Sequence, residues 1–349
     1  MPVVHVVFLG AVYRDWGAAV HSAYSGARSS DVLVGCESSV ALENDHVAIL
    51  MCTYNGGAFL RAQLDSISSQ SHGDWSLHVS DDGSTDGTHE LLRSFQNLQG
   101  AHRVHLYAGP GIGFVANFLS LTCRDGIRAQ FFAWSDQDDV WHEDKLQVAL
   151  KWLRRVPAER PALYCGRTQI VCEAGVHRTF SPRFTFAPHF RNALVQSIAG
   201  GNTMVFNLSA RALLVEAGWH VAVPSHDWWC YQLVCGAEGE VRYDPRPWLM
   251  YRQHAGNIIG SNTGLNNQLK RCRMLLEGKL RGWNTQNICA LEKMQHRFDE
   301  KHRRSLALFK AARQQRLPWR LLNLLRARLY RQTLMGNIGL FAAALLKKI

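Results

Sequence analysis

The chain has 349 residues, of which 47% are hydrophobic and 19% charged, and its formal net charge is +11. This composition excludes an intrinsically disordered protein and is sufficient for a large buried core. The basic balance indicates an anionic partner: a nucleoside diphosphate, an acidic membrane surface or nucleic acid. The nine cysteines form no Cys-x-x-Cys pair, so neither a zinc site nor a disulfide framework is indicated, which favours a reducing cytosol.

Residues 1–45 are weakly patterned, and we predict that they form an N-terminal extension to a domain that begins at His46. The first ten residues lack the basic and apolar segments of a signal peptide. No apolar run reaches the roughly 18 residues that span a bilayer. The longest run, Ile338 to Leu346, is followed by two lysines and is expected to lie on a membrane surface if it meets one.

From His46 onwards, short apolar runs alternate with segments of helical spacing. Strands are predicted at 47–51, 75–79, 104–107 and 131–134, and helices at 59–70, 91–95, 117–121 and 145–156. Alternation of strand and helix predicts an α/β fold with a mostly parallel, doubly wound sheet and helices on both faces. Right-handed crossovers bring the carboxyl ends of such strands to one edge, where ligands bind.

Three polar loops, at 53–57, 81–87 and 135–139, follow predicted strands and should converge at that edge. The third holds Asp136, Asp138 and Asp139, and clustered carboxylates repel one another unless a cation compensates them. Hard cations such as Mg²⁺ or Mn²⁺ prefer carboxylate oxygens and could neutralise a diphosphate where no phosphate-binding glycine loop exists. The alternative is a solvated turn before a helix N-terminus, where Asp is also favoured.

These motifs, in this order, resemble an inverting family 2 glycosyltransferase of the GT-A fold. The resemblance rests on 47–55, 63–70, 81–86 and 136–139, and it covers roughly residues 46–260. Residues 134–141, together with Asn117 and Phe118, are most similar to the rhamnosyltransferase-like branch.

The resemblance implies an enzyme that transfers one sugar from a nucleoside diphosphate, with dTDP-L-rhamnose as the favoured donor. The acceptor would be a bacterial surface polysaccharide or a lipid-linked glycan. It also implies a nucleotide-binding half at 46–160 and an acceptor half at 161–260, to which the helical, basic pattern of 261–349 adds a C-terminal region. Such a protein would be cytoplasmic or peripheral on the inner face of the cytoplasmic membrane.

The resemblance further implies roles for single residues on the donor side. Those expected to contact the nucleotide sugar are Thr53, Tyr54, Asn55, Asp81, Asp82 and Asp136. The sequence leaves open which of the acids at 81 and 82 contacts the base. Asp138 would be the main metal ligand and His254 would contact the metal or a phosphate, whereas Asp139 is expected only to cap the following helix.

On the acceptor side, an inverting transfer needs a general base for the acceptor hydroxyl. Asp227 matches the family's acid at a helix start, and His226 is the rival base. Gly201 and Asn202 match an acceptor-side loop, and Trp228 could offer an apolar face to a sugar ring.

Two other functions are compatible with parts of the sequence. A sugar nucleotidyltransferase on a similar fold should carry basic residues in its first glycine loop, and residues 53–57 contain none. A non-enzymatic protein that binds an anionic ligand or a membrane would leave the ordered acids unexplained.

The basic C-terminal helices indicate either peripheral docking on an anionic membrane or a solvated face, and no nucleic acid partner is expected.

Overall fold

The computed structural model describes residues 45–254 and 279–349. The extension predicted at 1–45 therefore lies outside the described residues up to position 44, as do residues 255–278 at the start of the predicted C-terminal region. Residues 42–349 form one compact unit.

One sheet contains all the strands of the described ranges. They are β1 (Val47–Thr53), β2 (Trp75–Asp81), β3 (Val104–Ala108), β4 (Phe131–Ser135), β5 (Val140–Trp141), β6 (Ala162–Cys172), β7 (His177–Phe180), β8 (Val205–Asn207) and β9 (Glu240–Gln253). Their spatial order is β3-β2-β1-β4-β8-β6-β9-β5, with β7 beside β6. β4 and β5 flank the acid loop but are not neighbours in this order.

Strand direction divides the sheet into two parts. β1 pairs in parallel with β2 and β4, and β2 pairs in parallel with β3, as predicted. β8 is antiparallel to both β4 and β6, β9 is parallel to β6, and β5 is antiparallel to β9. The expected parallel pairing is confirmed for β1 to β4, and the second part of the sheet is mixed; β8 begins two residues after the 3-10 turn at Gly201–Thr203.

Helices cover both faces of the sheet. They are α1 (Leu60–Ser68), α2 (Thr88–Gln99), α3 (Phe114–Cys123), α4 (Lys145–Leu153), α5 (Phe190–Ala193), α6 (Leu208–Ala217), α7 (His226–Gly236), α8 (Lys279–Met294), α9 (Glu300–Gln314), α10 (Trp319–Arg326) and α11 (Leu334–Leu345). No helix among the described residues is both long enough and apolar enough to cross a bilayer.

The central strand β1 is buried on both sides. Its alternate residues point in opposite directions, so Ala48 and Leu50 pack with α3, α6 and α7, whereas Ile49 packs with α1, α2 and α4. A strand covered on both faces needs a continuous apolar run, which is why β1 lacks polar alternation. The predicted α/β class is confirmed, and the architecture agrees with the expected GT-A fold.

The C-terminal helices share a core with the rest of the unit. Leu291, Phe309, Leu324 and Leu340, from α8 to α11, belong to the same apolar cluster as the side chains beneath α7. The predicted C-terminal helical region is confirmed over the described residues, and it packs as an integral part of the unit.

Candidate active site

The carboxyl ends of β1, β2 and β4 lie at one edge of the sheet. Thr53 is in register with Asp81, and Met51 with Ser135. Parallel pairing in this register brings the three polar loops together. The backbone of Tyr54 both donates to and accepts from the Gln137 side-chain amide, at 2.9 and 3.0 Å, which joins the first loop to the acid loop.

Asp81 is built into the end of β2. Its Oδ2 accepts from the hydroxyls of Thr53 and Ser84, at 2.7 and 2.6 Å, and its Oδ1 accepts from the backbone N–H groups of Ser84 and Gly83. Burial acts to raise the pKa of Asp81, but these hydrogen bonds outweigh it and lower the pKa. A carboxylate offers about four lone-pair sites, so this one is fully used within the protein.

Asp82 is less completely occupied. Its Oδ1 accepts from the Gly111 N–H at 2.7 Å and its Oδ2 from the Gly113 N–H at 2.9 Å. Both glycines have positive φ, 70° and 101°, a backbone conformation that glycine adopts without steric cost. The loop after β3 is thereby fixed against Asp82, which keeps free lone pairs for a ligand.

Asn55 orders the turn after β1. Its backbone has φ 49°, its N–H donates to the Ser84 hydroxyl at 2.8 Å, and its Oδ1 accepts from the Thr85 N–H at 2.8 Å. Tyr54, in contrast, is 59% exposed. The first loop therefore presents an exposed aromatic ring beside a rigid turn.

Asp136 begins the acid loop and is half-buried. Burial, followed by the charges of Asp138 and Asp227, raises its pKa to about 8. The negative charges of Asp138 in the acid loop and of Asp227 in the first turn of α7 therefore both act on the Asp136 carboxyl group. An electrostatic environment of this kind favours a bound cation.

Asp138 faces the end of β9. The His254 Nε2 lies 2.8 Å from the Asp138 Oδ2, and Arg252 donates from Nε to the backbone carbonyl of Asp138 at 3.2 Å. The Phe59 ring lies 4.6 Å from the imidazole and 5.1 Å from the guanidinium. His254, 116 positions after Asp138, is thus held against the acid loop by the pairing of β5 with β9.

Asp139 does not cap the following helix, and that expectation is corrected. It is 0% exposed, and its Oδ2 accepts from the Asn202 side-chain amide at 2.5 Å. Burial, then the charges of Asp138 and Asp136, raise its pKa well above the usual range. The acid loop is therefore tied directly to the Gly201–Thr203 turn.

Lys145 is a buried charged residue that the sequence patterns did not identify. It is 1% exposed, its Nζ lies 3.5 Å from the centre of the Trp141 ring, and burial lowers its pKa to about 7 against an opposing effect of Asp139. The helical spacing of Lys145 with Ala149 and Leu153, both buried, is the signal that could have revealed it.

Asp227 lies in the first turn of α7, where the helix N-terminus favours an anion. Its Oδ1 accepts from the Ser225 hydroxyl and the Trp228 N–H, both at 2.5 Å, and its Oδ2 accepts from the Gly201 N–H at 3.2 Å. The Gly201–Thr203 turn therefore touches both Asp139 and Asp227. The predicted acceptor-side loop connects the two groups of acids.

His226 is poorly placed to act as a base. It is 4% exposed, stacks on Phe118 at 4.1 Å between ring centres, and meets Trp134 edge-on at 4.7 Å. Burial lowers its pKa to about 4, with Asp227 opposing, so the imidazole is neutral near pH 7. A ring enclosed by aromatic side chains cannot reach a substrate hydroxyl.

Trp228 was expected on the acceptor side, and the structure corrects this. The side chain is 6% exposed, and its Nε1 donates to the Ala193 carbonyl at 2.6 Å. α7 is buried on nearly every side, so its tryptophans fill the core instead of presenting a face to a sugar.

At this edge of the sheet, Asp136, Asp138 and Asp139 lie beside His254 and are linked through the Gly201–Thr203 turn to Asp227. Among the described residues, no group of three or more His, Cys, Asp or Glu side chains is arranged to hold a metal. A cation held by Asp138 and His254 would therefore need further ligands from a bound molecule or water, as Mg²⁺ and Mn²⁺ commonly do.

Comparison with known proteins identifies a family whose model matches this chain and relatives of similar sequence. The family model for glycosyl transferase family 2 matches residues 48–217. The dTDP-rhamnosyl transferase RfbG of Shigella flexneri is 27% identical over 235 residues, which cover 63% of this chain and 77% of the relative. The putative teichuronic acid biosynthesis glycosyltransferase TuaG of Bacillus subtilis is 28% identical over 108 residues, 31% of this chain and 41% of the relative.

Solved structures are similar at lower sequence identity. Staphylococcus aureus TarS 1–349 in complex with UDP is 12% identical, with a TM-score of 0.49 over 87% of this chain and 88% of that one. The mannosyltransferase PcManGT of Pyrobaculum calidifontis in complex with GDP-Man and Mn²⁺ is 18% identical, with a TM-score of 0.46 over 86% of each chain. The class of protein is therefore taken from the family match and not from these structures.

The fold, the ordered acids and the family match together define a glycosyltransferase. The match of the glycosyl transferase family 2 model to residues 48–217 confirms the predicted resemblance to that family.

Proposed function

We propose that this protein transfers one sugar from a nucleoside diphosphate sugar to an acceptor hydroxyl with inversion at the anomeric carbon, assisted by a divalent cation. One observation carries the proposal: the Gly201–Thr203 turn donates hydrogen bonds both to Asp139 of the acid loop and to Asp227 of α7. A cation site and a general base consequently share one crevice. Displacement of a diphosphate requires both groups close to the same carbon.

Asp138 and His254 are the proposed protein ligands of Mg²⁺ or Mn²⁺. The residues fit such a cation, because a carboxylate and an imidazole lie 2.8 Å apart beside a carboxyl whose pKa is raised to about 8. When bound, the cation would neutralise charge on the diphosphate as it leaves. Asp136 lies next to this pair and is proposed to face the ribose and the sugar.

Asp227 is the proposed general base. Its carboxylate would take the proton of the acceptor hydroxyl while that oxygen bonds to the anomeric carbon. The bond from this carbon to the diphosphate oxygen breaks, and the nucleoside diphosphate leaves with the electron pair. The Ser225 hydroxyl and the Gly201 N–H hold the carboxylate in place throughout.

The nucleoside would bind at the ends of β1 and β2, beside Thr53, Tyr54 and Asn55. Asp82 is proposed to accept from the base, because the oxygens of Asp81 are already used by the protein whereas those of Asp82 keep free lone pairs. The proposal therefore assigns the contact with the base to Asp82, a choice that the sequence left open.

The likeness to a dTDP-rhamnosyl transferase supports dTDP-L-rhamnose as the donor. Likenesses to enzymes named for bacterial glycans, including one that acts on a diphosphoundecaprenol-linked sugar, support a surface polysaccharide or lipid-linked glycan as the acceptor. We place the reaction in the cytoplasm, at the inner face of the membrane, where such an acceptor would be found.

The variant Asp227→Asn tests the base directly. It keeps the shape and one acceptor oxygen, which can still accept from the Ser225 hydroxyl and the Trp228 N–H, but it cannot take up a proton. We therefore expect donor binding within about twofold of wild type and turnover lower by at least about 100-fold. Calorimetry with dTDP-L-rhamnose and Mn²⁺ measures binding, and release of dTDP measures turnover. Asp65→Asn, on the exposed surface of α1, is the matched control, and full turnover by Asp227→Asn would remove this residue as the base.

A further inference from the structure

The positive charge of the chain is concentrated at its C-terminal end. Residues 301–349 contain twelve Lys and Arg and no Asp or Glu, whereas the whole chain has a net charge of +11. The first 300 residues are therefore close to neutral. Charge separated in this way indicates a local anionic partner for the final helices.

The same segment exposes large apolar side chains to solvent. Eight of them are 46–77% exposed: Leu317, Trp319, Leu325, Leu334, Met335, Ile338, Leu345 and Leu346. Exposed apolar side chains concentrated within about 30 residues mark an interaction surface. We refer to these eight side chains as the docking face.

Helical spacing places much of the docking face on one side of α11. Leu334, Ile338 and Leu345 recur at intervals of four and seven, while the opposite side buries Leu340 and Ala344 in the core. The helix is therefore anchored on one side, and its outer side offers leucine, methionine and isoleucine to solvent.

Exposed cations accompany the docking face in sequence. Arg316, Arg326, Arg328 and Lys347 are all exposed, and no acidic residue lies between positions 301 and 349 to pair with them locally. Apolar side chains flanked by Lys and Arg are the pattern of a helix that lies in the interface of an anionic bilayer. A protein partner would more commonly meet a rim of mixed charge.

We propose that the docking face binds the surface of an anionic lipid bilayer, with the apolar side chains in the headgroup region and the basic side chains at the lipid phosphates. This proposal deepens, and rests on, the proposed transfer to a lipid-linked acceptor. Its occupant is the bilayer itself, recognised by negative charge and an apolar interior.

Packing connects the docking face to the acceptor half of the site. Asn192 of α5 donates to the Tyr330 carbonyl at 3.0 Å, and Gln332 donates to the Phe186 carbonyl at 3.0 Å. The carbonyl of Ala193 in α5 accepts a hydrogen bond from the indole of Trp228, which follows Asp227 in α7. The segment that carries the docking face is therefore packed directly against α5 in the acceptor half.

Vesicle flotation with the full chain tests the proposal. We expect binding to vesicles of phosphatidylcholine and phosphatidylglycerol, weaker binding at high salt, and little binding to phosphatidylcholine alone. The double variant Leu334→Glu/Met335→Glu should lower the partition coefficient more than about tenfold, because it removes apolar contact and adds negative charge. Leu98→Glu on α2, at a position 75% exposed, is the matched control and should bind as wild type.

A second variant, Arg326→Gln/Lys347→Gln, keeps the apolar side chains and should lose mainly the preference for anionic lipid. Absence of vesicle binding by the wild type, or unchanged binding by both variants, would overturn the proposal. A dimer that Leu334→Glu/Met335→Glu dissociates, without vesicle binding, would assign the face to a second copy instead. Donor turnover without lipid reports separately on the proposed function, so either proposal can fail alone.

Discussion

Asp136 is the residue at which the charges of the crevice meet. Burial, Asp138 and Asp227 all disfavour its ionisation, so its pKa of about 8 leaves it mostly protonated at neutral pH. A bound divalent cation would reverse this balance by favouring the carboxylate. The unfavourable clustering of acids in the free protein thus becomes favourable when a cation and an anionic donor bind together.

Asp138→Asn should abolish metal-dependent turnover. The amide cannot supply the anionic oxygen that a hard cation prefers, so we expect Mn²⁺ affinity to fall at least about tenfold and donor turnover at least about 100-fold. Electron paramagnetic resonance of free Mn²⁺ measures the affinity. Asp125→Asn, at an exposed position, should behave as wild type, and equal Mn²⁺ binding by all three proteins would remove Asp138 as a ligand.

Lys145→Met should change how stability depends on pH. The folded protein binds the Lys145 proton with a pKa of about 7, against an ordinary value of 10.5, so between these pH values the unfolded chain binds more protons. Wild-type stability therefore gains up to about 1.4 kcal/mol per pH unit as pH rises through this window. Lys145→Met lacks this gain, and its free energy of unfolding should exceed that of wild type most near pH 6.5.

Urea unfolding at pH 6.5 and pH 9.5 measures this prediction. The free energy of unfolding of Lys145→Met should exceed that of wild type by less at pH 9.5 than at pH 6.5. Lys151→Met, at an exposed position on the same helix, should differ from wild type by the same amount at both pH values. A difference between Lys145→Met and wild type that stays constant with pH would show that the amine is not buried as described.

At the scale of elements, the Gly201–Thr203 turn joins the two halves of the site. Asn202 reaches Asp139 in the acid loop, and the neighbouring Gly201 N–H reaches Asp227 at the start of α7. A Cβ added at Gly201 would overlap the His226 imidazole, so the turn packs closely against the enclosed ring. The separation between the proposed cation site and the proposed base is therefore set by one short segment.

Asn202→Ala tests this connection. Leaving the buried Asp139 oxygen without its partner should lower the free energy of unfolding by about 1–3 kcal/mol. We also expect kcat to fall more than about tenfold while the dissociation constant for the donor changes little, because the nucleotide contacts lie in other loops. Asn97→Ala on the exposed side of α2 is the control, and an unchanged kcat would show that the turn does not position the base.

The elements that the sequence predicted well are those with strong local patterns. β1, β2 and β4 are fully buried strands of five to seven residues and were predicted within two residues of their observed ends. β5 and β8, of two and three residues, exist only because neighbouring strands complete their hydrogen bonds. Their antiparallel pairing, which makes the sheet mixed, has no local signal.

At the scale of the whole molecule, the order of the sequence motifs located the acidic residues of the site but not all of their hydrogen-bond partners. The convergence of three loops followed from parallel topology and could be predicted. The Asp139–Asn202 bond joins positions 63 apart, so it has no local signal in the sequence. The indole of Trp228 is bonded to Ala193 of α5, a contact between distant segments that the sequence of α7 alone could not show.

The molecule as a whole combines a carboxylate-rich sheet edge, proposed to bind a donor, with C-terminal helices that carry the docking face and the excess of positive charge. The two features have different proposed partners, since the sheet edge gathers carboxylates whereas the C-terminal helices gather apolar and cationic side chains. Together the two proposals predict an enzyme that holds a metal-bound nucleotide while its C-terminal helices rest on anionic lipid.

The central claim is metal-dependent transfer from a nucleoside diphosphate sugar, and slow hydrolysis of a donor panel tests it most directly. Purified protein is incubated with dTDP-, UDP- and GDP-sugars with Mn²⁺ or Mg²⁺, and release of the free nucleoside diphosphate is measured. We predict release from dTDP-L-rhamnose that a chelator, Asp138→Asn and Asp227→Asn each abolish. Failure to bind or hydrolyse any donor, or hydrolysis that the chelator and both variants leave unchanged, would contradict the account.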